Sequence, residues 1–153
     1  MRKSDYIRST AACKFENLKP KFIQYLKAYT QKHKLENIEK EVPQCFEVTN
    51  IKTGFLGKEE ISYTGICVTK RFLFWGVTFD KKETAVAASQ WNEISEIMDY
   101  ETSEFAKMIE DHGLRFSGFV YQSGESGGWF IGLGEDDAGN KCRKLMKEMI
   151  NKE

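Results

Sequence analysis

The chain has 153 residues, of which 41% are hydrophobic, and a domain of that length buries roughly 70% of the surface its unfolded chain exposes, so one real core is expected. Lys plus Arg (23) equals Asp plus Glu (23), which excludes a global field aimed at a polyanion. No stretch approaches the roughly 20 apolar residues of a membrane-spanning helix, and with no apolar secretory-type leader the sequence reads as cytoplasmic.

Charge is unevenly distributed along the chain. Within residues 1–34, Arg2, Lys3, Arg8, Lys14, Lys19, Lys21, Lys27, Lys32 and Lys34 are opposed only by Asp5 and Glu16. Residues 1–44 therefore read as a basic helical segment preceding a net acidic body at 45–153. In the first part of this segment, Tyr6, Ile7, Ala11, Ala12, Phe15 and Leu18 allow a short helix, which Pro20 would separate from a second, longer one. Between Lys19 and His33, Phe22, Ile23, Tyr25, Leu26 and Tyr29 recur at helical spacing, with Pro20 in the first turn. The apolar face of this amphipathic helix either docks on the body or stays free. A Lys-rich face opposite Phe and Tyr suits anionic lipid, which makes Lys19, Lys21, Lys27 and Lys32 candidates for contact with an anionic surface.

Beyond Pro43 the pattern changes to short β-rich runs separated by turn residues. They are Cys45–Thr53, Glu59–Thr69, Phe72–Phe79, Thr84–Ser89, Glu93–Asp99, Leu114–Gln122 and Gly128–Gly134. About seven strands at such spacing predict a mainly β domain, a sandwich or a bent antiparallel barrel. Helices do not alternate with the strands, which argues against parallel βαβ packing. Gly54 and Gly57, Asp80-Lys81-Lys82, and Ser123 to Gly128 supply turn chemistry, the last as a hairpin. Thr102 to His112 carries helix signals: Thr102 or Ser103 as cap, Phe105, Met108 and Ile109 on one face, Gly113 as stop. Ala138, Cys142, Leu145, Met149 and Ile150 form an apolar stripe on a final helix over Asp136–Ile150, with acids at its start and Lys144, Lys147 and Lys152 toward its end.

The run Tyr63-Thr64-Gly65-Ile66-Cys67-Val68-Thr69-Lys70-Arg71-Phe72-Leu73-Phe74-Trp75 resembles the hairpin of bacterial PH-like and GRAM-like domains. Trp91 to Ile97 resembles a later strand of that family, Trp129-Phe130-Ile131-Gly132 its last strand, and the helix at 136–150 its C-terminal cap. The resemblance covers roughly residues 45–150. It implies a PH-like bent barrel with a C-terminal capping helix, used for binding phosphoinositides, peptides or proteins. In lipid-binding members the loop after the first strand grips phosphates. Here that loop, Ile51 to Lys58, offers only Lys52 and Lys58, followed at once by Glu59 and Glu60. The helix at 102–112 departs from the family pattern, residues 1–44 have no counterpart in it, and another small barrel or an α+β fold is the competing reading.

No catalytic constellation emerges. Gly124-Glu125-Ser126-Gly127-Gly128 is superficially like a serine-protease nucleophile motif, but His33 in a helix and His112 beside a glycine supply no base for it. Glycines 127, 128, 132 and 134 lack the strand-to-helix context of a phosphate loop. Glu135, Asp136 and Asp137 have no cation-loop spacing and suit a helix start. Cys13, Cys45, Cys67 and Cys142 are far apart in sequence and form no C-x-x-C pair, so reduced and mostly buried thiols are expected. No cofactor or metal is expected.

The leading expectation is a non-enzymatic module that binds a protein or peptide. The alternatives are peripheral binding to an anionic membrane through the basic helix, and a small-ligand-binding or hydrolytic barrel. Nucleic acid is disfavoured by the lack of net positive charge and of any recognition motif.

Overall fold

The computed structural model describes residues 5–121 and 124–151, in which eight strands form two antiparallel sheets. The first sheet runs in chain order: β1 (Tyr6–Cys13), β2 (Gln44–Thr53), β3 (Glu59–Val68), β4 (Phe72–Phe79) and β5 (Ala85–Gln90). The second consists of β6 (Ile94–Asp99), β7 (Gly113–Val120) and β8 (Glu125–Gly132). Helix α1 (Pro20–Lys32) lies between β1 and β2 in sequence, and α2 (Asp137–Ile150) comes after β8. Arg2, Lys3, Gln122, Ser123 and Lys152, each noted in the sequence, lie outside the described residues.

Period-two alternation sorts the first sheet into two cores. Phe46, Val48, Ile66, Leu73 and Trp75 point toward the second sheet and α2. Cys45, Cys67, Phe72, Phe74 and Ala88 point the other way, toward α1. Because β4 and the end of β3 are covered on both faces, residues 65–68 and 72–77 read as nearly continuous apolar runs. The α1 side is closed by Phe22 and Leu26, which are 1% and 0% exposed. Gly65 and Gly76 are direct cross-strand partners, and a Cβ added to them would lie 2.6 Å and 2.9 Å from the Phe22 ring. Two adjacent glycines thus make the flat notch into which Phe22 seats. Burying a Phe side chain is worth about 1.5–3 kcal/mol.

Three expectations require correction. Residues 6–13 are a strand instead of a short helix, which brings the count to eight. Tyr6, Arg8 and Thr10 are partly buried while Ile7, Ser9 and Ala11 are exposed, and the ladder with β2 runs unbroken from Tyr6↔Lys52 to Cys13↔Cys45. Eight residues of sheet pairing outweigh a weak helical period.

The helix expected over Thr102–His112 is replaced by two short 3₁₀ turns, Tyr100–Thr102 and Glu104–Lys107. Its would-be caps act in the opposite sense: the Thr102 and Ser103 hydroxyls donate to the Asp99 and Tyr100 carbonyls instead of accepting from helix N–H groups. The far end of the segment is tied to β1, because Asp111 pairs with Arg8.

The two sheets are not closed into a barrel. One seam is bridged where the Tyr121 N–H donates to the Ala88 carbonyl at 3.0 Å. At the opposite side the edge strand β1 packs against α2 and forms no ladder with β8. Asp136 caps α2 by accepting from the Gly139 N–H, and its second oxygen accepts from the Thr10 N–H, each at 2.8 Å. One carboxylate therefore caps the helix and satisfies a backbone donor on the sheet edge. This accounts for the acid that the sequence places at the helix start.

Candidate interaction surface

The four lysines proposed on the basic helix have separate surroundings. Phe22 and Leu26 occupy the core, so the apolar face of α1 is already used. Lys19 lies 3.9 Å from Glu47 and 4.1 Å from the Tyr63 ring centroid. Lys21 donates to the Lys82 carbonyl at 2.8 Å, Lys27 pairs with Glu39, and Lys32 is exposed in the last turn, where a cation complements the helix dipole.

Lys52 and Lys58 meet at the loop end of the first sheet. With Lys81, Lys82, Glu59, Glu60 and Asp80 they rim a cavity of about 540 Å³ that also includes Ile61 and Phe79. Lys82 lies 3.6 Å from Glu60 and 5.1 Å from the Phe79 centroid. At the tip of the β2–β3 loop, Leu56 has φ 65° and is 83% exposed. A branched side chain in the left-handed region is held there against steric cost. The rim has mixed sign, as Glu59 and Glu60 following Lys58 foreshadow.

A second surface was not visible in the sequence. On β7, Leu114 and Phe116 are buried inward, and Arg115 alternates to the outer face of the second sheet. Its register neighbours are Met98 on β6 and Phe130 on β8. The guanidinium carbon lies 4.2 Å from the Phe105 ring centroid, and no carboxylate among the described residues pairs with it. Phe105 and Phe130, and Met108 and Ile109 on the segment that carries Phe105, are 53%, 37%, 72% and 46% exposed. Half of the large exposed apolar side chains among the described residues (Ile7, Val42, Leu56 and Ile61 being the others) thus belong to this one region, and such a concentration marks an interaction surface.

Partly buried polar contacts lie beside that patch. Arg8 donates from Nε and Nη2 to the two Asp111 oxygens at 3.0 and 2.8 Å, and from Nη1 to Asn50 Oδ1 at 2.6 Å. Asn50 in turn donates to Thr64 Oγ1 at 2.9 Å. A Cβ on Gly132 would strike the Arg8 guanidinium, so glycine is needed there. Tyr100 stacks edge-on to Phe130 at 5.0 Å and donates its hydroxyl to the Ile109 carbonyl at 2.7 Å. Residue 111 is thus held by a strand 103 residues away and residue 109 by Tyr100, and the preceding Phe105 and Met108 stay exposed with Ile109.

The charged groups beside α2 and the clustered thiols have partners within the fold. A cavity of about 640 Å³ beside α2 is lined by Asp99, Glu101, Arg143 and Lys147 among others, and these four pair at 2.9–3.0 Å. Burial alone would raise the Asp99 carboxyl, but hydrogen bonds from Lys147 and Arg143 outweigh it and hold it below the usual carboxylate range. Cys13, Cys45 and Cys67 lie side by side across three strands, with 3.5 Å between the Cys45 and Cys67 sulfurs. Burial, reinforced by Cys45, pushes the Cys13 thiol up to about 11, and burial pushes Cys142 up to about 12. Both thiols are therefore poor nucleophiles at neutral pH. No helix among the described residues is long and apolar enough to cross a membrane.

Comparison with known proteins finds no matching family model, no matching curated protein and no matching solved structure.

Proposed function

We propose that the chain is a non-enzymatic binding module for a protein or peptide, built on a PH-like scaffold and working in the cytoplasm. The observation that carries this reading is the outer face of the second sheet. An arginine without an acidic partner is stacked on Phe105 and pairs in register with Phe130, and Met108 and Ile109 are exposed on the segment that carries Phe105. Arginine and aromatic side chains dominate the energetics of protein interfaces. Four strands, β2–β5, followed by three, β6–β8, and a closing helix support the PH-like resemblance, with β1 and α1 as additions to it. Four free thiols are in keeping with a reducing compartment.

Affinity capture from the source lysate with quantitative mass spectrometry tests the reading. A specific partner should be retained by the wild-type protein and depleted at least tenfold with the Phe105→Ser, Met108→Asp double variant, whose thermal stability should stay near wild type because both side chains face solvent. Retention that is indifferent to these substitutions would sink the proposal.

Peripheral membrane contact is a second reading, favoured by Leu56 standing exposed between Lys52 and Lys58. An inserted apolar tip flanked by lysines suits an anionic surface, each lysine contributing about 1 kcal/mol, but Glu59, Glu60 and Asp80 oppose the attraction. Sedimentation with phosphatidylserine vesicles at low salt, with and without Leu56→Asp, decides it: no pelleting, or pelleting unaffected by the substitution, ends this reading.

A further inference from the structure

We propose that the open edge of β8 accepts an extended peptide as a fourth strand of the second sheet, and that Arg115 reads an acidic side chain of that peptide. The inference rests on the protein-binding reading and names its mode and partner chemistry.

The backbone of β8 has one side unpaired. The Leu133 N–H donates to the His112 carbonyl at 3.0 Å, one step beyond the register pair Gly113↔Gly132. Hydrogen-bonded pairs alternate along an antiparallel ladder. Trp129 and Gly127 therefore bond to β7, whereas Ser126, Gly128 and Phe130 turn their N–H and C=O groups to the other side. Among the described residues no strand lies on that side in the sheet order β6-β7-β8, and these residues are exposed. Folded proteins guard such edges with charge, proline or bulges. Ser126, Gly127 and Gly128 carry neither charge nor proline, and the β7–β8 register is unbroken.

The Arg115 side chain points toward the same edge. A Cβ on Gly128 would lie 3.1 Å from Arg115 Nη2. Because Gly128 has no side chain, the guanidinium lies across β8 toward its open edge. An added strand runs about 4.8 Å beyond β8, so an Asp or Glu opposite Gly128 reaches Arg115 and forms a charge-assisted hydrogen bond. Two residues along on the same face, the peptide side chain meets Phe130, which favours an aliphatic or aromatic residue. The recognised pattern is an acid and an apolar residue separated by one position. A second copy of this chain fits less well, since pairing β8 with itself about Gly128 would bring two Arg115 guanidinium groups together with no acid between them.

Panning a phage-displayed random dodecapeptide library against the intact protein tests the inference. Enriched sequences should carry Asp or Glu two positions from an apolar residue. The best synthetic peptide, followed by fluorescence anisotropy, should bind at least tenfold more weakly to Arg115→Gln. It should lose binding to Gly128→Pro, which removes an N–H that β7 does not use and also crowds the Arg115 guanidinium. If Gly128→Pro fails to fold, the same peptide N-methylated at alternate amides replaces it: one set of alternate positions should abolish binding and the other should not. Peptides that bind both variants as tightly as wild type would overturn strand addition at β8 while leaving the protein-binding reading intact. A dimer dissociated by Gly128→Pro would assign the edge to a second copy and overturn the peptide. Failure to enrich any peptide over an unrelated control protein would also overturn this inference, and the lysate capture then judges the broader reading separately.

Discussion

The α1 side of the first sheet and the outer side of the second both carry aromatic side chains beside glycines, yet one is sealed and the other open. In the first, Gly65 and Gly76 face each other and Phe22 fills the space above them. In the second, Gly128 faces outward and only the Arg115 guanidinium lies over it. An absent Cβ thus has two uses, as a socket for an internal knob and as clearance for a charged group at an edge. The covering element decides between them: α1 supplies a 13-residue amphipathic helix, whereas residues 100–112 supply only single 3₁₀ turns that leave their apolar side chains outside.

The largest effect that would test this contrast is Phe22→Ala. The ring is 1% exposed and its socket is rigid β-sheet, so the cavity should collapse little and cost about 3–5 kcal/mol. Typical domain stabilities are about 5–15 kcal/mol, so urea unfolding should show a large fall in midpoint. A loss below about 1 kcal/mol would show that the α1 face is no more a core than the open one.

A smaller effect is expected from Arg8→Met, which leaves Asp111 without its bidentate partner. The side chains are 10% and 14% exposed, so a cost of about 2 kcal/mol is expected, below the 3–5 kcal/mol of a fully buried pair. Asp111→Asn in the same chain should recover part of it in a double-mutant cycle. Hydrogen exchange should quicken most over residues 100–112. Uniform quickening across both sheets would mean that the ion pair supports the whole fold instead of holding this segment open.

These two interfaces also divide what the sequence disclosed from what it hid. Helices α1 and α2 were legible because burial imposes a strong period on each, and strands β2 to β5 because short β-rich runs stand between turn residues. Lys58 lies on the loop between β2 and β3 while Lys52 belongs to the end of β2, and the neighbouring acids already announced the mixed charge around them. Strand β1 was hidden because eight residues with Ile7, Ala11 and Ala12 satisfy either period, and only pairing with β2 decides between them. The patch around Arg115 was hidden for a different reason. Phe105, Met108 and Ile109 have helical spacing, which normally signals burial, and it is the contact of Asp111 with Arg8, remote in sequence, that prevents it. No local signal marks a residue whose conformation is set by a charge 103 positions away.

The smallest effect concerns Asp99, at the junction of the second sheet with α2, where a charged contact neither seals a core nor opens a surface. Lys147 and Arg143 hold its carboxyl below the usual range despite burial, so the folded chain binds this proton less readily than the unfolded one. The resulting stability is present above the unfolded value near pH 4 and is lost as pH falls through the lower, folded value. Its side chain is 33% exposed, so solvent screening keeps the contribution modest. Asp99→Asn should therefore lower stability slightly at neutral pH and flatten the fall in melting temperature below about pH 4. An unchanged acid limb would mean that Lys147 and Arg143 serve Glu101 and the Gly113 carbonyl instead, and that α2 is joined to the second sheet by packing, as α1 is to the first.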